Sequence, residues 1–273
     1  MLVIYRIFCS LLVLFIGGLV FADNATIPVG ESPRDAVWYD NKLFVLNGGG
    51  TVSVISTKNL AVLTTIPVGK NPTSLALSNK KIYVSNYDDG TLSVIDAIKQ
   101  TVIGTIPVGI HPNYLEIGTN AVYVTNIGSN TVSVIDTVNN VFRTNPSLGD
   151  GALEPSSVIV AGGRVYVLNV GSSSVSIIDQ KTNSLKKMLS VSGPPTGGTA
   201  VKQQIYIYHA GGSSISVING PKDTFSDNII VSNGVVSGTV VGTNLYVNNM
   251  TGNSVSVIDT LDNTITKTIK VGA

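Results

Sequence analysis

At 273 residues the chain is long enough for one large domain with an ample core. Only 12% of its residues are charged, 43% are apolar and the formal charge is +1, which excludes general disorder. The same balance gives no electrostatic reason to expect nucleic acid or anionic lipid as a partner.

The first element in chain order is a leader. Arg6 supplies a short positive region, and Ile7 to Val20 runs apolar with Ser10 as its only polar residue. Val20-Phe21-Ala22 then places small or modest residues ahead of Asp23, so residues 1–22 are expected to be a signal peptide cleaved before Asp23. The run is short for a membrane span, which needs about 20 apolar residues, so no stable membrane insertion is expected after cleavage. Cleavage removes Cys9, leaving the 23–273 domain without disulfide or thiol chemistry, and removes Arg6, leaving basic and acidic residues in balance.

The rest of the chain repeats itself. An aromatic strand recurs as Phe44-Val45-Leu46-Asn47, Tyr83-Val84-Ser85-Asn86, Tyr123-Val124-Thr125-Asn126, Tyr166-Val167-Leu168-Asn169, Tyr206-Ile207-Tyr208-His209 and Tyr246-Val247-Asn248-Asn249. Its aromatic positions lie 39, 40, 43, 40 and 40 residues apart, and a period of that length is the mark of a repeat architecture. After a polar turn each copy continues in a second strand, such as Thr51 to Ile55 or Val132 to Asp136. A link follows, Thr-Ile-Pro-Val-Gly at Thr26, Thr65 and Thr105, with a proline soon after at Pro33, Pro72 and Pro112.

Each copy therefore reads as four short strands: one after the proline (Thr73 to Ser78 in the second copy), the aromatic strand, the Ser-Val-Ile strand, and an outer one ending in Pro-Val-Gly. Asp96, Asp136, Asp179 and Asp259 close the third strand, where a carboxylate accepts from the next turn's N–H groups. The neighbours of Val, Ile and Tyr are Ser and Thr, hardly ever Lys or Glu, so both faces of each sheet must be covered. Stacking the sheets face to face around an axis does that, and proline suits an outermost edge strand. The expected fold is an all-β propeller of four-stranded blades: six, or seven if the closure strands form an extra one. Both Ala25 to Val29 and Thr264 to Val271 are candidates for the closing edge.

These motifs resemble the YVTN β-propeller repeat family of bacterial and archaeal surface-layer and periplasmic proteins, distantly similar to WD40 propellers. The third copy, Ile106-Pro107-Val108-Gly109 through Tyr123-Val124-Thr125-Asn126 to Val132-Ser133-Val134-Ile135-Asp136-Thr137, lies nearest the family pattern. Members are often seven-bladed, whereas six complete pairs of motifs are present here. The resemblance implies a destination in the periplasm, at the cell surface or outside the cell, and it carries no shared chemistry.

In such a meander the turn between the second and third strands and the link between blades share one face, where propellers bind ligands. Its candidates are Arg34, Asn71, Tyr87, Asp88, Asp89, His111, Tyr114, Asp150, Glu154 and His209, with the insertion Thr144 to Ser156 as an irregular loop on a rigid frame. His111 falls in the Gly-x-x-Pro link, where other copies carry Ser32, Asn71 and Pro194, and reads first as a solvated turn residue. His209 takes the place of a turn-capping amide, and Tyr87-Asp88-Asp89-Gly90 lacks the further oxygen ligands of a calcium loop. No zincin, nucleophile-elbow, phosphate-loop or cysteine-nucleophile motif occurs, and no metal or cofactor is expected.

The expected function is non-enzymatic: an exported binding or scaffold module for a protein, peptide or glycan. The alternatives are a propeller-type lactonase or lyase, the latter pairing His111 with Glu154, and a structural surface-layer component. A catalytic site would need at least three carboxylates or histidines to converge.

Overall fold

The structure, a computed structural model, describes residues 26–209 and 211–272; the leader, Cys9 and the cleavage point before Asp23 lie outside them. Among the described residues the regular elements are 24 strands, and no helix is long and apolar enough to cross a membrane. The strands form six four-stranded sheets, each ordered as in the chain. The described residues divide into two compact units, those up to 124 with 135–143, and those of 125–134 with the ones from 144 on.

The first unit holds blade one, β1 (Pro33–Tyr39), β2 (Lys42–Asn47), β3 (Thr51–Ser56) and β4 (Val62–Pro67), and blade two, β5 (Pro72–Ser78), β6 (Lys81–Asn86), β7 (Thr91–Asp96) and β8 (Thr101–Pro107). Blade three is β9 (Pro112–Gly118), β10 (Ala121–Asn126), β11 (Thr131–Asp136) and β12 (Val141–Thr144), and the boundary between units runs through it. The second unit holds blade four, β13 (Pro155–Ala161), β14 (Arg164–Asn169), β15 (Ser174–Asp179) and β16 (Leu185–Ser190). Blade five follows as β17 (Pro195–Val201), β18 (Gln204–His209), β19 (Ser214–Asn219) and β20 (Thr224–Ile230). Blade six is β21 (Val235–Val241), β22 (Asn244–Asn249), β23 (Ser254–Asp259) and β24 (Thr264–Lys270).

Local chemistry sets these boundaries. The proline that opens β1, β5, β13 and β17 donates nothing to the ladder, and a register shift follows it at Pro33/Asp35, Pro72/Ser74, Pro155/Ser157 and Pro195/Gly197. Two-residue hairpin turns join β1 to β2 and β5 to β6, with Asp40 and Asn41 at φ 46° and 57° and Asn79 and Lys80 at 49° and 63°. Such left-handed pairs match the twist of the flanking strands. Pro67 and Pro107 end β4 and β8 on the sheet edge, as expected.

Within each unit the sheets cover one another. Phe44, Leu46, Val52 and Val54 of blade one pack with Leu75, Ile82, Val84 and Ile95 of blade two. The opposite face of blade two, through Tyr83, Leu92 and Val94, meets Leu115, Val122 and Val124 of blade three. In the second unit Tyr166, Leu168 and Ile177 of blade four meet Ile205 and Ile207 of blade five. Tyr206, Tyr208 and Val217 of blade five then meet Leu245, Val247 and Ile258 of blade six. Phe44, Tyr83, Tyr123, Tyr166 and Tyr206 are all fully buried, as sheets apolar on two sides demand. The last edge belongs to β24, whereas Thr26 to Val29 form no strand; Ile27 and Val29 pack instead against Ala36, Leu43, Val45 and Ile55 of blade one.

Candidate functional site

The link and the turn between the second and third strands do share one end of the blade, joined by backbone hydrogen bonds. Tyr87 and Asp88 N–H groups donate to the carbonyls of Asn71 and Lys70, and Val170 and Gly171 donate to those of Glu154 and Leu153. Beneath this surface a side-chain clamp repeats. Asn86 donates to Thr91 Oγ1 and Ser93 Oγ, each at 3.0 Å, and its Oδ1 accepts from Gly69 N–H at 3.0 Å. A Cβ at Gly69 would lie 2.5 Å from Asn86 Cγ, so the glycine of Ile-Pro-Val-Gly lets the link approach the amide. Asn47, Asn126 and Asn169 make the same paired bonds to strand-three hydroxyls.

His209 occupies the equivalent place in blade five. It is 2% exposed, its Nδ1 meets Gly193 O and its Nε2 meets Ser216 Oγ, each at 2.9 Å. The carbonyl accepts, so Nδ1 carries the proton and Nε2 accepts from the serine: a neutral ring filling the role of an amide. Burial pushes its pKa below the ordinary value, with the Gly193 bond opposing.

Above the clamps, the first unit gathers several candidates. Arg34 Nη1 donates to Asn71 Oδ1 at 2.8 Å and to Pro72 O at 3.1 Å, and Asn71 Nδ2 reaches Asp88 Oδ1 at 3.4 Å. Asp89 accepts from Lys70 N–H at 2.8 Å. Tyr87 and His111 stack with ring centroids 4.5 Å apart and planes 3° from parallel. Arg34, Asp88 and His111 are exposed and Tyr87 is half-buried. His111 holds a left-handed φ of 52°, like Ser32 and Asn71 at the same point of their links. Tyr114 stands apart: it lies within β9, and its hydroxyl reaches Glu116 Oε2 at 3.4 Å.

In the second unit Asp150 and Glu154 are exposed on the 145–154 connection, where Glu154 N–H donates to Asn130 Oδ1 at 2.7 Å and its carboxylate lies over Gly171. That connection is not a loose loop. Pro146, Leu148 and Ala152 are buried, and Ser176 Oγ donates to Leu148 O.

Several displaced titrations fall on groups that hold the frame. Asp96 and Asp179 lie below the ordinary carboxylate range because turn N–H groups, Lys99 and Thr182 first among them, donate to their ionised forms. Desolvation pushes the Tyr83 and Tyr206 phenols up to about 12. Both bond the turn between strands three and four of the next blade: Tyr83 with Asn140 Oδ1 at 2.8 Å, and Tyr206 with Asn263 Oδ1 at 2.7 Å. Lys81 joins the first of these hooks, donating to Asn140 Oδ1 and Thr137 O at 3.0 Å. Sequence reasoning missed these hooks, although both carry a separation of 57 residues that a register of aromatic against amide positions would have shown. Among the described residues no three His, Cys, Asp or Glu side chains gather as a metal set, and His111 and Glu154 belong to different units.

Six four-stranded meanders in chain order define a protein of the β-propeller class. Solved structures agree. The computationally designed Ika8 protein shares 14% identity over 88% of this chain and 75% of its own, with a TM-score of 0.76. Hydrazine synthase of Kuenenia stuttgartiensis matches at 17% identity over 94% and 90%, with a TM-score of 0.66, and BamB from Moraxella catarrhalis at 15% over 81% and 68%, also at 0.66. No family model and no curated protein matches the chain, so the likeness to YVTN repeats rests on the motifs.

Proposed function

We propose that this is an exported, non-enzymatic propeller of the YVTN type, acting in the cell envelope or outside the cell as a binding or scaffold module for a protein, peptide or glycan. The observation that carries this reading is the strip formed by the Arg34–Asn71–Asp88 chain beside the Tyr87–His111 stack. It offers a cation, a carboxylate and an aromatic pair on links fixed by backbone bonds, so little ordering entropy opposes a partner. Aromatic and arginine side chains on a rigid surface are the usual anchors of recognition.

The test is capture from an envelope extract by immobilised full-length protein, native against Arg34→Ala/Tyr87→Ala. A partner held by the native chain and lost from the variant supports the reading; equal recovery from both sinks it. Mass spectrometry of the envelope fraction is expected to find Asp23 as the amino terminus. Because the 145–154 connection buries Leu148 and Ala152, its share is tested by Asp150→Ala/Glu154→Ala rather than by trimming, which would open the core.

A further inference from the structure

At the opposite end of the blades, the hook that joins blade four to blade five is built differently from its neighbours. Tyr166 occupies the place of Tyr83 and Tyr206, and Asp223 that of Asn140 and Asn263. Asp223, however, is taken by Arg164, whose Nε lies 3.1 and 3.3 Å from its two oxygens. The Tyr166 hydroxyl is left without a protein hydrogen-bond partner among the described residues, in a side chain only 1% exposed. The ring is buried, but the hydroxyl itself faces an open crevice, where it offers a donor to a ligand atom.

The hydroxyl borders a crevice of about 200 Å³. Its walls include Ala161, Ile205 and Pro221, which are apolar, with Arg164 and Lys202 at the polar side. One residue opens it. The turn position that is Ala97 in blade two and Thr137 in blade three is Gly220 in blade five, and a Cβ there would sit 2.9 Å from the Tyr166 oxygen. Arg164 is held by Asp223 and, at 3.7 Å, by Asp179, with Nη2 left unbonded, while Lys202 pairs with no carboxylate among the described residues. Lys181 and Lys222 lie on the two adjoining turns, so four cations stand against the two carboxylates of Asp179 and Asp223, the latter also acting on the Tyr166 phenol, and the balance favours an anion.

We propose that this crevice binds a small carboxylate with an apolar body: the phenol donates to the carboxylate, Lys202 neutralises it, Arg164 Nη2 supplies a further N–H donor, and Ala161, Ile205 and Pro221 cover the rest. The volume is below that of drug-sized pockets, roughly 300 Å³ and above, and suits one ring or a short aliphatic chain.

The probes are benzoate, benzamide and inorganic phosphate, titrated into the full-length protein and followed by NMR shifts or calorimetry. Benzoate is expected to bind at least about tenfold more tightly than benzamide, because a hydrogen bond to a charged group outweighs one to a neutral group. Phosphate, lacking the apolar part, is expected to bind more weakly than benzoate. Tyr166→Phe should weaken benzoate about tenfold without lowering the melting temperature, since it removes a hydroxyl that bonds nothing in the protein. Lys202→Gln should weaken it as well, and Gly220→Ala should abolish it by filling the space. Absent benzoate binding, benzamide or phosphate equal to benzoate, or unchanged affinity in Tyr166→Phe would each overturn the proposal. The Arg34→Ala/Tyr87→Ala chain is expected to bind benzoate normally, so failure here and failure of the binding-module reading are told apart.

Discussion

At one end of blade two, Asn86 is fully buried and ties three groups together: the link through Gly69 N–H and the third strand through Thr91 and Ser93. At the other end, Tyr83 sends a single hydroxyl, helped by Lys81, into the next blade's turn at Thr137 and Asn140. The amide closes a blade on its own link, whereas the phenol fastens one blade to the next. The first end repeats with little change, and even His209 keeps one bond to the link, at Gly193 O, and one to a third-strand hydroxyl, Ser216. The second end varies from blade to blade: Phe44 has no hydroxyl to offer, and Tyr166 has lost its partner to an arginine. A bond that sets the chain's path within a blade is required in each copy, while one that only reinforces a packed apolar interface leaves room for change.

Removing the amide should be the costlier of the two. Asn86→Ala strands the Gly69 N–H and two hydroxyls at a buried point and leaves a small void, for an expected loss of about 3 kcal/mol. Urea unfolding of the full chain measures it. A loss below about 1 kcal/mol would mean that packing of the link, not the amide, determines the blade end.

Tyr83→Phe probes the other end and should cost about 1 kcal/mol, the worth of one ordinary hydrogen bond, because the ring stays buried and Lys81 still holds Asn140 and Thr137 O. Tyr206→Phe should behave alike. Denaturation curves for both, set beside Asn86→Ala, give the ratio between the ends directly; a cost equal to that of the amide would erase the distinction.

Most of the frame was legible in the sequence because its causes are local. The period, the proline that opens a strand, the turn residues of left-handed φ and the Ser and Thr beside each apolar residue all act within one copy. Choosing the edge of blade six was not legible, since Thr26 to Gly30 and Thr264 to Val271 carry comparable motifs and only packing separates them. The link-and-turn surface could be named, but not the coupling of Arg34 to Asn71 and Asp88, which joins residues 37 and 17 positions apart through side chains alone. His209 reads in the sequence as a replaced amide, and its place inside the blade follows from that. The Tyr166 crevice was invisible, for it depends on a glycine and an arginine that look ordinary until they face one another.

The smallest expected effect belongs to the surface pair at the hook end of blade three. Arg143 Nη2 lies 2.7 Å from Asp136 Oδ2, and this bond, followed by the Asn139 N–H, holds the carboxyl near a pKa of about 2 against an ordinary 3.8. Since the folded value is depressed, the contribution is complete above about 3.8 and fades as the pH falls through about 2. Arg143 is 40% exposed, so solvent screening keeps the pair below about 1 kcal/mol despite its short distance. Arg143→Ala should therefore leave stability at pH 7 almost unchanged while moving Asp136 back toward 3.8, seen by NMR titration of its carboxyl. The backbone N–H groups of Val138 and Asn139 remain after the substitution and keep part of the shift. An unchanged titration would assign the whole depression to those two N–H groups and leave Arg143 without a part in it.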